Sequence, residues 1–145
     1  FLERENLQKI NGKYKPNNEQ QLKILVQNNE LNLGDIDTSA ITDMSNLFNC
    51  SKRTDFSGIE NWDTSNVTDM RMAFERASSF NQHLNDWNVE NVSDMRFMFQ
   101  GASNFNQPLN SWNVSKVENM IDMFDNCPMQ DNLPDWYSKN GDDDE

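Results

Sequence analysis

The sequence predicts an α/β solenoid of about four coils, each of about 25 residues with a short parallel strand and a short helix, behind an N-terminal capping helix. Three observations predict it. The first is a repeat. Residues Trp62 to Asp86 and Trp87 to Ser111 share 14 of 25 positions, and one position reads Ile36, Trp62, Trp87, Trp112, Trp136, at steps of 26, 25, 25 and 24. A fixed period in this range marks stacked supersecondary units. The second is alternation at the start of each unit. Trp112 and Val114 flank polar Asn113, a period of two that suits a brief strand with Trp and Val inward. The third is the spacing that follows. Val67, Met70, Ala73, Phe74 and Ala77 fall at i, i+3, i+6, i+7 and i+10, as do Val92, Met95, Met98, Phe99 and Ala102. At about 100° per residue these positions share one helix face. A helix of about ten residues is marginal alone. Stacked units would cover one another's apolar faces, so the Trp, Met and Phe columns are read as core.

In chain order, residues 1–32 form a lead-in. Leu7, Ile10 and Tyr14 fit a helix or an irregular segment. Pro16-Asn17-Asn18-Glu19 reads as a helix start, with Leu22, Leu25 and Val26 as the apolar stripe behind it. This is the expected cap. The repeats occupy 33–136. Ser51 to Gly58 departs from the repeat, contains Lys52-Arg53, and reads as a loop. Asn81-Gln82 and Asn106-Gln107 are expected to bond the neighbouring coil as a ladder of amides. Residues 137–145 end in Gly-Asp-Asp-Asp-Glu and read as a disordered, solvated tail.

Composition limits function. The chain has 24 acidic and 12 basic residues, a formal charge of −12. That argues against nucleic acid, which needs clustered Lys and Arg, and against anionic membranes. No apolar run approaches the ~20 residues of a membrane span, and no export signal or lipid-attachment cysteine is visible at Phe1. Two cysteines are too few for a disulfide framework or a zinc site. Cys127 occupies the position of Ala77 and Ala102 and reads as a small core residue. Cys50 lies three coils away, roughly 15 Å at strand spacing, too far for a disulfide. His83 is the only histidine and reads as surface. No nucleophile–base arrangement stands out. The expectation is no catalytic residue, no cofactor and no metal, with a protein as partner and a monomer or weak oligomer as the state.

Two sets of residues are candidates for binding that partner. On the helix wheel Met72 lies about 200° from Met70, and Phe97 likewise from Met95, so both should face solvent side by side. Arg71 and Arg96 flank them. An apolar pair edged with arginine has the composition of a binding hot spot. The second set is Asp37, Asp63, Asn88 and Asn113, each following an inward residue, which should form an exposed polar ladder on the strands' outer face.

The run W-[DN]-x-[SE]-[NK]-V-x-[DEN]-M, then M-F or A-F, then F-N-Q-x-L-N, resembles the BspA-like repeat of bacterial surface proteins, over roughly residues 33–136. The lead-in P-N-N-E-Q-Q-L-K-I-L-V is similar to the segment that precedes such repeats. The resemblance implies a right-handed, leucine-rich-repeat-like solenoid and a surface or secreted adhesion or interaction role, in a family with many lipoproteins and no catalytic residues to carry over. The competing expectation is a cytoplasmic acidic inhibitor, immunity-like, for a basic partner, since strong acidity speeds association with a cationic surface. A two-carboxylate glycosidase is the third, but no acid is set against an apolar pocket.

Overall fold

The computed structural model describes residues 7–137. Strands β1 (Lys9–Ile10) and β2 (Lys13–Tyr14) pair antiparallel. They are joined by Asn11-Gly12, with φ of 55° and 84°. A two-residue hairpin loop of this type needs positive φ at both positions, which Asn and Gly supply most easily. This corrects the helical reading of Leu7, Ile10 and Tyr14: Ile10 is 63% exposed. Asn-Gly between the two strands was the signal to read.

Helix α1 (Glu19–Gln27) follows. The side chain of its N-cap, Asn18, accepts from the Gln21 N–H at 2.9 Å, and Gln21 Oε1 accepts from the Asn17 N–H at 2.7 Å. The first bond satisfies a free N–H of the first turn, and the second ties the residue before the cap back to that turn. Leu22, Leu25 and Val26 are buried and join the core.

The repeated units hold neither the strands nor the helices expected of an α/β, leucine-rich-repeat-like solenoid. The paired strands among the described residues are β1 and β2, and α1 is the sole α-helix. Three short 3₁₀ turns accompany them, at Leu33–Asp35, Ile59–Asn61 and Pro128–Asp131. The reason lies in the backbone. Each unit has two left-handed residues four positions apart: Asn46 and Cys50, Met72 and Arg76, Phe97 and Gly101, Asp122 and Asn126. A positive φ at every fourth residue interrupts an α-helix. What forms instead is a pair of consecutive four-residue turns. In one unit the Ala73 N–H donates to the Met70 carbonyl, and the Ala77 N–H to the Phe74 carbonyl. The left-handed residue falls third in each, as in a type II turn. Two such turns place Met70, Phe74 and Ala77 at the same spacing as one helix face.

Hydrogen bonds between units take the place of a helical ladder. The N–H groups of Met70, Met72, Phe74 and Arg76 donate to the carbonyls of Asp94, Arg96, Met98 and Gln100, at 2.8–2.9 Å. Met44, Asn46, Phe48 and Cys50 donate likewise to Asp69, Arg71, Ala73 and Glu75, and Met95, Phe97, Phe99 and Gly101 to Asn119, Ile121, Met123 and Asp125. Isolated parallel bridges join Asp43, Asp69, Asp94 and Asn119 in succession. The N–H groups from Met44 to Gly101 named above all point toward the later unit, whereas those of Thr68, Ser93 and Glu118 donate back to the carbonyls of Thr42, Thr68 and Ser93.

Side chains lock the units further. Phe48, Phe74, Phe99 and Phe124 pack ring on ring, with centroids 5.4, 5.5 and 5.7 Å apart. Offset stacked rings of this kind add to burial. The indole N–H groups of Trp62, Trp87, Trp112 and Trp136 donate to the carbonyls of Leu33, Ile59, Leu84 and Leu109. Buried indoles usually find such a partner. The amide ladder appears at Asn81, whose Oδ1 accepts from the Asn106 N–H and from Gln107 Nε2, while Asn132 Nδ2 donates to Asn106 Oδ1. These amides are exposed or half-buried rather than core.

The loop from Ser51 to Gly58 ties α1 to the first unit. Arg53 is 2% exposed. Its guanidinium donates to the carbonyls of Val26, Asn28 and Leu31, and its Nε to that of Asp55. Burial lowers its pKa from the ordinary arginine value, against the attraction of Asp55. Val26 and Asn28 lie at the C-terminus of α1, where free carbonyls favour a cation.

Candidate functional site

Asn46, Met72, Phe97 and Asp122 occupy one position of successive units, with φ between 54° and 60°. Asn and Asp tolerate the left-handed region; Met and Phe there are uncommon. The conformation costs roughly 1–2 kcal/mol for an ordinary L-residue. The helix wheel placed Met72 and Phe97 in solvent. They are half-buried instead, because each sits at a turn corner whose N–H bonds the next unit: Met72 to the Arg96 carbonyl, Phe97 to that of Ile121, at 2.9 and 3.1 Å.

Arg71 and Arg96 flank this pair and are also half-buried. Their backbone N–H groups donate to Asp69 Oδ1 and Asp94 Oδ1. The Arg96 guanidinium turns onto the same carboxylate, with Nη2 2.7 Å from Asp94 Oδ2. Burial works to raise the Asp94 pKa, but the Arg96 bonds prevail and hold it below the ordinary value; hydrogen bonding to Asp94 raises that of Arg96. The Arg71 guanidinium makes no hydrogen bond or ion pair among the described residues. So one arginine is committed to Asp94 and the other is available.

Asp37, Asp63, Asn88 and Asn113 do not stand on the outer face of strands. Each folds back on its own loop: their Oδ1 atoms accept from the N–H groups of Ser39, Ser65, Glu90 and Ser115, at 3.0–3.1 Å. This is an Asx turn, a local device of Asp and Asn. Hydrogen bonds from Ser39 and Ser65 lower the pKa of Asp37 and Asp63. No hydrogen bond or ion pair among the described residues brings this set to the Met72–Phe97 pair.

Sequence reasoning missed a second Asx column, Asp43, Asp69, Asp94 and Asn119, each accepting from the N–H two residues on. Its signal was there: an acid or amide stands just before Met in every unit. Glu19 of α1 adjoins it. Burial and the neighbouring Asp43 carboxylate raise the Glu19 pKa, with Lys23 opposing.

The other polar candidates lie apart. His83 is exposed. Cys50 is exposed and Cys127 buried, both as free thiols; burial raises the Cys127 pKa. Among the described residues no group of three or more His, Cys, Asp or Glu is placed to hold a metal ion, and no helix is long and apolar enough to cross a membrane. The acidic end of the chain, residues 138–145, lies outside the described residues.

No curated protein and no solved structure matches this chain. A family match covers residues 19–136, from the start of α1 through every repeated unit to Trp136. The chain therefore belongs to the family described as Mycoplasma protein of unknown function, DUF285.

Proposed function

We propose that the chain is a non-catalytic protein-interaction module, of the BspA-like surface or secreted kind, and that Met72 and Phe97, edged by Arg71 and Arg96, are its contact. One observation carries this reading. The turn corner they occupy is taken by Asn46 and Asp122 in the outer units, residues that suit it better. Large apolar side chains in a strained backbone position, in two adjacent units, point to a use beyond folding. The free Arg71 adds a donor at the edge, and Arg with large apolar residues is the usual make-up of a protein contact. Adhesion follows from the same resemblance and rests on it.

The test is the double substitution Met72→Asn with Phe97→Asn. Both should keep the turns and remove the apolar pair. Loss of partner capture from host extracellular matrix with a near-native melting curve supports the proposal. Undiminished capture overturns the assignment of this site.

A second reading, an acidic immunity-like inhibitor acting in the cytoplasm, draws on the charge of −12 and the Asp43, Asp69, Asp94 column. It would show as capture of a basic protein from the producing cell's own lysate, with a rate that falls steeply with salt.

A further inference from the structure

Residues 62–136 carry eleven acids and four bases. Two of the bases are engaged: Lys116 Nζ donates to Asn91 Oδ1, and Arg96 is paired with Asp94. The other two, Arg71 and Arg76, belong to one unit. Neither guanidinium makes a hydrogen bond or ion pair among the described residues. The carboxylates of the same stretch are better served. Asp94 has Arg96, Asp69 Oδ1 accepts from the Arg71 backbone N–H, and Glu75 Oε1 accepts from Asn49 Nδ2 at 2.8 Å. Each of these acids has a donor. The two guanidinium groups, with five N–H donors apiece, have no acceptor.

The backbone sets both arginines beside the apolar pair. Arg71 directly precedes Met72, the left-handed corner of the unit's first turn. Arg76 is the left-handed corner of its second turn, with φ of 57°. The Arg76 side chain lies against the next unit, where a Cβ built on Gly101 would stand 2.9 Å from Arg76 Cγ. Cys50 and Asn126 hold the corner equivalent to Gly101 in the outer units. Glycine at 101 therefore leaves room for the Arg76 stem, on the unit that carries Phe97.

We propose that the Met72–Phe97 contact takes an acidic segment of a partner protein, in which carboxylates flank a bulky apolar side chain. This rests on the reading of that pair as the contact. The apolar side chain would cover Met72 and Phe97, and the carboxylates would accept from Arg71 and Arg76. Arginine suits this role because its planar fork matches a carboxylate with two parallel bonds, and arginine clusters are a recurring means of reading acidic motifs. The acid excess elsewhere on the chain would repel such a segment and so fix its place. At physiological salt that repulsion fades beyond about 8 Å, while direct pairs persist. A basic segment would leave both guanidinium groups facing like charge.

The test is fluorescence anisotropy with a labelled nine-residue peptide of two Leu set among Glu, against matched peptides with Gln or Lys in place of Glu. The Glu peptide should bind at least tenfold tighter than the Gln peptide, and the Lys peptide weakest. Arg71→Gln with Arg76→Gln, at a near-native melting temperature, should bring the Glu and Gln peptides within about threefold of each other. Gly101→Asn, which keeps a residue suited to positive φ but crowds the Arg76 stem, should lower the Glu preference in part. Met72→Asn with Phe97→Asn should weaken the Glu and Gln peptides alike, at least tenfold. A Glu peptide that binds no better than the Gln peptide overturns the acidic partner, and the contact itself still stands if Met72→Asn with Phe97→Asn weakens both. A Glu preference that survives Arg71→Gln with Arg76→Gln also overturns it. Binding indifferent to Met72→Asn with Phe97→Asn overturns the contact and the acidic partner together.

Discussion

The guanidinium of Arg53 donates to the Val26 carbonyl at 3.2 Å, across 27 residues of chain. One side chain from a loop outside the repeat thereby closes the end of α1 on the first unit. Its removal leaves the carbonyls of Val26, Asn28 and Leu31 without this donor. Hydrogen bonds to a charged group contribute about 1.5–3 kcal/mol each, and orphaned buried groups cost as much. Arg53→Met should therefore lower stability by about 2–5 kcal/mol in urea titration. Arg53→Lys should recover less than half, because an ammonium cannot reach the same fork of acceptors. A loss under 1 kcal/mol for Arg53→Met would show that water replaces the guanidinium.

Two glycines separate crowding from backbone preference. Gly58 has φ of 96°, and a Cβ there would lie 2.4 Å from the Gly34 nitrogen. Gly12 has φ of 84° with open space around it. Gly58→Ala should cost about 3 kcal/mol or more, since backbone must move as well as adopt a strained φ. Gly12→Ala should cost about 1–2 kcal/mol from φ alone. Equal melting temperatures for the two variants would contradict the close approach of Gly58 to Gly34.

Backbone relief is expected at the proposed contact. Met72→Asn and Phe97→Asn each exchange partial burial for a residue suited to positive φ. The two effects are each of the order of 1 kcal/mol and oppose one another. Each variant should fall within about 1 kcal/mol of the parent in chemical denaturation. A loss of 3 kcal/mol or more would make these side chains core, and the interaction proposal would lose its basis.

Acid should weaken the fold through the Asx turns. Asp37, Asp63 and Asp94 have folded pKa values below the ordinary carboxylate value. A lowered acid contributes stability that is complete above its unfolded pKa, about 3.9, and is lost as pH falls through the folded value. Thermal stability at these positions should hold down to about pH 4 and decline below it. Asp63→Asn keeps the turn, as Asn88 does, so its decline below pH 4 should be shallower than the parent's. Identical acid limbs would show that the Ser65 bonds do not bias the Asp63 proton.

Much of the candidate site was legible, and its setting was not. The shared position of Met72 and Phe97, and its contrast with Asn46 and Asp122, could be read from the repeat. The side chains' half-burial could not, because the helix wheel assigned the wrong backbone. Asp37 and Asp63 were placed on a strand's outer face, yet Asp-Thr-Ser also suits an Asx turn, and the local hydrogen bond prevailed. Asn11-Gly12 carried a hairpin signal that the helical spacing of Leu7, Ile10 and Tyr14 obscured.

The sequence by itself determined the period, the buried columns of Trp, Met and Phe, and the start of α1 within Pro16-Asn17-Asn18-Glu19, because these depend on residue type and local capping. Tertiary structure alone decided the conformation of each unit. A helix face and two consecutive turns place Met70, Phe74 and Ala77 at the same spacing, so apolar pattern does not separate them. The turns are held by N–H groups that donate outward, to a neighbour about 25 residues away. A helix would direct those same groups along its own axis. Arg53 belongs with them: its charge marks it for the surface, and only the gathered carbonyls of Val26, Asn28 and Leu31 make its burial favourable.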